Sequence, residues 1–224
     1  MPGVGPVDVA AGSGGAVPSA PDTPVAAAAV QQVDAPVVDA AGWVSGARIV
    51  HSPNANLRPD GVLPTLLVIH NISLPPGCFG GDDITSLFTN TLDFDAHPFY
   101  RTIRGLRVSS HFLITRDGDL LQFVSTLERA WHAGVSAFAG REGCNDFSIG
   151  IELEGSDDLA FTALQYATLA SLTMSLRARH PIDAIVGHAD IAPGRKTDPG
   201  PYFDWDGYAT AAMLPDHALP MRNP

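Results

Sequence analysis

Residues 65–70 read TLLVIH, an unbroken apolar run closed by a histidine. A strand with one wet face alternates apolar and polar residues. A run without alternation is the mark of a strand buried on both faces, inside a sheet covered by other layers. Two further segments fit beside it. Residues 147–153 (FSIGIEL) alternate, with Phe147, Ile149, Ile151 and Leu153 facing one way. Residues 184–188 (AIVGH) form another short apolar run that ends in histidine. Residues 111–116 and 119–124 flank Asp117-Gly118, a dipeptide suited to a tight hairpin turn. One long helix is predicted over 162–179. Thr162 and Gln165 stand at capping-box spacing, Leu169, Leu172 and Leu176 form its apolar stripe, and Pro181 stops it. A second helix is predicted over 82–90. Strands mixed with helices in this way give an α/β or α+β fold.

The bulk properties bound the function. The 224 residues suffice for one domain with a real core, and 45% hydrophobic against 17% charged residues is a globular balance. A formal net charge of −11 excludes a general binder of nucleic acid or anionic membrane, because like charges repel at long range. No apolar stretch reaches the roughly 18 residues a transmembrane helix needs. The opening residues carry no Lys or Arg of the kind that begins a secretory signal, and the only cysteines are Cys78 and Cys144. The reading is a cytoplasmic protein. Residues 1–41, rich in Ala, Gly, Pro and Val, are expected to be a disordered leader. The folded domain is expected over 42–210 and a flexible tail over 211–224.

Three residues carry the chemistry of a metal centre. His70 and His188 end two apolar strands, and Asp198 follows His188 across the loop APGRKTDPGP. Two histidines and a carboxylate with a fourth position open are one of the ligand sets of catalytic zinc. A histidine ending a strand is also commonly a hydrogen-bonded rim residue, and neither HEXXH nor paired CxxC is present. Glu152 and Glu154 lie on the face opposite Ile149, Ile151 and Leu153. Ser148 and Gly150 precede Glu152 on that face and leave a hollow where a water could stand beside its carboxylate, as an acid–base catalyst requires. The plain alternative is the polar outer face of a half-exposed strand, and Glu154 suits that role better. Lys196, two residues before Asp198, projects to the same side of an extended loop and could stabilise an oxyanion, or could simply be a solvated lysine.

Six blocks then stand in register: VIHNISLPPGCFGG (68–81), DAHPF (95–99), RVSSHFLITRDG (107–118), RAWHAGVS (129–136), CNDFSIGIELEG (144–155) and GHADIAPGRKTDPGP (187–201). Together they resemble the AmpD family of N-acetylmuramoyl-L-alanine amidases, within the wider amidase-2 and peptidoglycan-recognition group. The resemblance covers roughly residues 42–208. It implies a central mixed β-sheet flanked by helices, with a zinc site in a surface groove. It implies one Zn²⁺ per chain held by His70, His188 and Asp198, with Glu152 handling the water proton and Lys196 the oxyanion. The reaction implied is hydrolysis of the lactyl–L-Ala amide of 1,6-anhydro-muropeptides during peptidoglycan recycling in the cytoplasm. The partner expected is a small soluble muropeptide, with no nucleic acid, no membrane and a monomeric enzyme. Two alternatives are a non-catalytic binder of peptidoglycan fragments and an exported amidase acting on polymeric wall.

Muropeptides carry carboxylates, so Arg107 is the expected anchor. Asn71, beside the first ligand, is expected to bond a peptide amide. His111, Trp131 and His132 are candidates to line or wall the groove, with structural roles as the alternative for each. One departure from the family stands at Gly143: the loop reads Gly140-Arg141-Glu142-Gly143, where relatives have a second Arg at the last position.

Overall fold

The chain is described here by a computed structural model covering residues 36–221. Its strands are β1 (Arg48–Ile49), β2 (Ala55–Leu57), β3 (Leu66–Ile72), β4 (Phe112–Ile114), β5 (Leu120–Gln122), β6 (Glu128–Ala130), β7 (Ala137–Phe138), β8 (Arg141–Glu142), β9 (Ser148–Glu154) and β10 (Ala184–Gly187). The α-helices are α1 (Asp83–Phe88), α2 (Pro98–Thr102), α3 (Ala163–Arg179), α4 (His188–Ile191) and α5 (Trp205–Ala211). A six-stranded sheet runs in the order β1-β5-β4-β9-β3-β10. It is mixed: β4 and β5 are antiparallel, and the other neighbours are parallel. β2 with β6 and β7 with β8 make two small antiparallel pairs beside it.

Side-chain alternation divides the sheet cleanly. Leu67 and Ile69 of β3, Ile149, Ile151 and Leu153 of β9, and Ile185 of β10 point to one face. There they pack under Leu169, Leu172 and Leu176 of α3 and Tyr208 of α5 in the largest apolar cluster. α3 begins as its sequence demands: the Thr162 hydroxyl accepts from the Gln165 N–H, and the Gln165 side chain accepts from the Thr162 N–H. The opposite face carries two smaller clusters. One is built by α1 and α2 with Leu113, Leu121 and Phe123. The other joins Leu66, Val68, Ala133, Cys144, Phe147, Val186 and Ile191. Between these two, on the same face, the polar positions of β3 and β9 meet a groove.

Four expectations are corrected. β9 is buried along its whole length, so the half-exposed strand considered for Glu152 and Glu154 does not exist. The Glu154 carboxylate instead accepts from the Gly80 and Arg116 N–H groups and ties two loops together. Residues 36–41 of the expected leader belong to the fold. The Asp39 carboxylate accepts from the Ala41 and Trp43 N–H groups, and the turn this closes lays Val38 against Val44; residues 1–35 lie outside the described residues. The expected tail packs through Leu219, because Ala212, Ala218 and Leu219 are buried and anchor the segment after α5. Finally, β10 ends at Gly187, and His188 is the first residue of α4 rather than the last of a strand.

Candidate metal centre

Three neighbouring parallel strands assemble the site. In the β3–β9 ladder His70 is the partner of Glu152, and in the β10–β3 ladder Gly187 is the partner of Ile69. Register partners in a sheet project to the same face, so His70 and Glu152 stand side by side, with His188 one residue beyond the end of β10. The loop carrying Asp198 is docked onto that end. The Ala189 N–H donates to the Asp198 carbonyl at 2.9 Å. Gly187 admits the loop because a Cβ there would lie 2.7 Å from Pro199 Cδ. Residues 118 and 128 positions from His70 along the chain thereby reach its imidazole.

His70 Nδ1, His188 Nδ1 and Asp198 Oδ2 form a near-equilateral triangle. Nδ1 to Nδ1 is 3.0 Å, His70 Nδ1 to Oδ2 is 2.9 Å, and His188 Nδ1 to Oδ2 is 3.0 Å. The chemistry of these atoms fits a cation. His188 Nε2 lies 3.1 Å from the Ala133 carbonyl, which can only accept, so Nε2 carries the proton. In the neutral ring Nδ1 is then a bare lone pair facing a carboxylate and a second imidazole nitrogen. Burial is the largest influence on His70 and lowers it to about 4, which favours the neutral ring that a ligand needs. Burial pushes the Asp198 carboxyl up, but the two imidazoles overcome that and hold it well below the usual carboxylate range. Three ligands of a tetrahedral zinc, each about 2.0–2.1 Å from the ion, would lie roughly 3.3 Å apart. The observed triangle is close to that size, and among the described residues it is the group able to hold a metal ion.

Glu152 stands at the next corner. Its Oε1 is 4.0 Å from His70 Nδ1, and its buried Oε2 has no hydrogen-bond partner. Burial, then the Asp198 carboxylate, push its carboxyl well above the ordinary range against the opposing pull of Lys196. Lys196 is exposed on the far lip. All five residues line one groove of about 670 Å³, whose other wall is apolar and comes from Phe88, Phe99, Ile103 and Leu106.

The remaining candidates separate. Asn71 lines the groove, and its amide NH₂ donates to Asp157 Oδ1 at 2.7 Å and to the Pro199 carbonyl at 3.1 Å. His132 also lines it, wedged behind His70. His111 does not. It is buried beside His132, with ring centres 5.8 Å apart; its Nε2 lies 3.0 Å from the Glu128 carbonyl and 3.2 Å from Arg58, and Nδ1 accepts from the Gly150 N–H. Trp131 turns away from the groove, its indole N–H donating to Asn56 Oδ1 at 2.7 Å. Arg107 is exposed between the wall residues Leu106 and Val108 and is not itself part of the wall. The arginine that does line the groove is Arg195, which sequence reasoning passed over although it adjoins Lys196; its guanidinium donates to the Ala133 and Val135 carbonyls. At Gly143 the backbone is left-handed, with φ +70°, and opens the turn Cys144–Asp146; Arg141 of the same loop stacks on Phe147, 3.9 Å from the ring centre.

Residues 60–201 match the family profile described as N-acetylmuramoyl-L-alanine amidase. The chain is 61% identical over 166 residues to the 1,6-anhydro-N-acetylmuramyl-L-alanine amidase AmpD of Escherichia coli strain K12, covering 73% of this chain and 91% of that protein. A crystal structure of a selenomethionine AmpD derivative superposes with a TM-score of 0.77 at 56% identity, covering 78% of this chain and 98% of that one. The Escherichia coli amidase AmiD, solved with anhydro-N-acetylmuramic acid-L-Ala-D-gamma-Glu-L-Lys, superposes with a TM-score of 0.50 at 32% identity, covering 70% of this chain and 62% of that one.

Proposed function

Since the chain belongs to the N-acetylmuramoyl-L-alanine amidase family, we propose that it hydrolyses the amide between the lactyl group of a 1,6-anhydro-muramyl sugar and L-Ala, with one Zn²⁺ held by His70, His188 and Asp198. The observation that carries this reading is the triangle of three ligand atoms beside an unpartnered buried carboxylate oxygen on Glu152. Amidases named for this linkage share most of the chain's length, and a related amidase takes an anhydro-muramyl peptide in its own structure.

When bound, Zn²⁺ supplies Lewis acidity, which brings the ionisation of water towards pH 7 and polarises an amide carbonyl. The side chains supply the rest. Glu152 accepts the proton of the attacking water and returns it to the departing L-Ala nitrogen, for which its raised affinity for protons suits it. Lys196 offers a full positive charge from the groove lip to the oxygen that becomes anionic. Asn71 has both amide N–H groups engaged, so its Oδ1 is left to accept from a substrate amide. Arg107 beside the groove is the guanidinium offered to the peptide carboxylates, while Arg195 Nη2 is taken up by the Ala133 and Val135 carbonyls. The apolar wall of α1 and α2 suits the faces of a compact anhydro-sugar.

We place the reaction in peptidoglycan recycling in the cytoplasm, acting as a monomer on soluble fragments. Free thiols at both Cys78 and Cys144 accord with a reducing compartment. Among the described residues no helix is long and apolar enough to cross a membrane. The test is turnover of a defined anhydro-muramyl tripeptide against intact sacculi, with and without a chelator. Release of the tripeptide from the soluble substrate, abolished by the chelator and restored by Zn²⁺, is the expected result. No cleavage of the soluble substrate by the zinc-loaded protein overturns it.

A further inference from the structure

Both metal-binding imidazoles lean on the same two-residue segment. His70 Nε2 is 3.0 Å from His132 Nδ1, and His188 Nε2 is 3.1 Å from the carbonyl of the next residue, Ala133. We propose that His132 and Ala133, clamped by the side chain of Asn145, are the support that fixes the tautomer and ring angle of both histidines; His132 and Asn145 are thus positioning residues.

The hydrogen-bond directions follow from one another. A His70 that ligates through Nδ1 carries its proton on Nε2 and donates it to His132 Nδ1. His132 then carries its own proton on Nε2 and donates it to Ser148 Oγ, 3.1 Å away. Outer partners of this kind fix the orientation of a ligand histidine and raise its basicity. The Asn145 Oδ1 accepts from two consecutive backbone N–H groups, His132 at 3.1 Å and Ala133 at 2.8 Å. Two donors at one oxygen also fix the amide's orientation. Asn145 is itself held, since Arg58 donates to its carbonyl at 3.2 Å. The carbonyl of Ala133 receives a second donor, Arg195, at 2.8 Å.

A separate observation shows that room for the His132 ring is built into the sheet. Gly150 lies mid-strand in β9, where glycine weakens a strand. A Cβ there would sit 2.5 Å from His132 Cγ and 2.6 Å from its Nδ1. The strand forgoes a side chain at the one place where the supporting ring lies flat on its backbone.

This inference rests on the zinc reading above, and the experiment separates the two. Zn²⁺ alone is titrated against a chromogenic chelator in wild type, His132→Ala, His132→Asn, Asn145→Ala and Asn145→Asp. Long-range ¹H–¹⁵N spectra of the histidine rings are recorded on the same zinc-loaded samples. His132→Ala and Asn145→Ala are expected to weaken Zn²⁺ binding about 10–100-fold, and in the former the His70 Nε2–H signal is expected to shift and to exchange faster with water. His132→Asn puts an acceptor oxygen where Nδ1 stands, and Asn145→Asp keeps the clamping oxygen; both are expected to stay within a few-fold of wild type. If both alanine variants bind Zn²⁺ as wild type does, with ring signals unchanged, the inference is wrong while the zinc reading survives. If wild type binds no Zn²⁺, both fall. Should either alanine variant fail to fold, Ser148→Ala decides by deleting the last acceptor of the chain: several-fold weaker binding supports the inference, and wild-type binding overturns it.

Discussion

His70 and Glu152 are direct partners in the parallel ladder of β3 and β9, and the hydrogen bonds of two buried strands hold the imidazole nitrogen 4.0 Å from the carboxylate. The proposed metal ligand and the proposed proton carrier therefore share one rigid support, and changes to the carboxylate are expected to separate chemistry from metal binding.

Glu152→Gln keeps the shape of the side chain and removes its ability to take a proton. The variant is expected to retain one Zn²⁺ per chain and to lose about 10²–10⁴-fold in turnover, the usual contribution of a general acid–base group. Metal content by mass spectrometry and kcat on the soluble anhydro-muropeptide check it. Loss of the metal would assign the residue a ligand role instead.

Removing a ligand gives the reverse pattern. A ligand that binds the native state alone stabilises it by about 2.7 kcal/mol at a concentration one hundred times Kd. Zinc is accordingly expected to raise the thermal midpoint of the wild-type protein and to leave that of His70→Ala or Asp198→Ala unmoved. Differential scanning fluorimetry with and without chelator reads this directly.

Gly150→Ala drives a methyl group into the His132 ring. Overpacking of a filled interior costs about 1–3 kcal/mol. A lower urea midpoint is expected, together with weaker Zn²⁺ binding because the displaced ring is the one behind His70. A midpoint equal to wild type would mean that the ring is free to move.

Acid is expected to destabilise the fold through histidines away from the metal. Burial depresses His180 to about 4 and His111 well below its ordinary value of 6.5. A depressed histidine leaves the unfolded chain with more bound protons between its two pKa values. The penalty is absent above pH 6.5 and grows as pH falls below it, down to about 4 for His180, by at most about 1.4 kcal/mol per pH unit for each group. Urea unfolding at pH 7.5, 6 and 5 measures the slope. His180→Gln, which can still bond Thr126, is expected to flatten it.

The fold was legible where a long element had its own pattern. The run at 65–70, the alternation at 147–153 and the capping box at Thr162 each correspond to a buried element of the sheet or to α3. Elements of two or three residues, such as β1, β7 and β8, are too short to show a period. The segment after α5 was read as a flexible tail because its anchors, Ala212, Ala218 and Leu219, are small or isolated apolar residues in a Pro- and Asp-rich stretch. The candidate ligands and Glu152 were raised by residue type and spacing, with plain structural roles open beside them, but their convergence was not legible. No local pattern reveals that β10 lies beside β3 and β3 beside β9, and that order is what gathers His188, His70 and Glu152. His111 and Trp131 show a further limit: a residue's neighbours in a motif do not say whether its side chain reaches the groove or is held by partners beside it.

The pairing of β3 with β9 also makes the apolar layer beneath α3 a gauge for the chemistry above it. A slip of a single position would turn Glu152 down among leucines and lift Ile151 into the groove, so Ile69, Ile151 and Leu153 keep the proposed proton carrier in register from the opposite face of the sheet. Mis-setting the reactive groups would require the oily layer to come apart first, which ties the accuracy of catalysis to the cohesion of the interior.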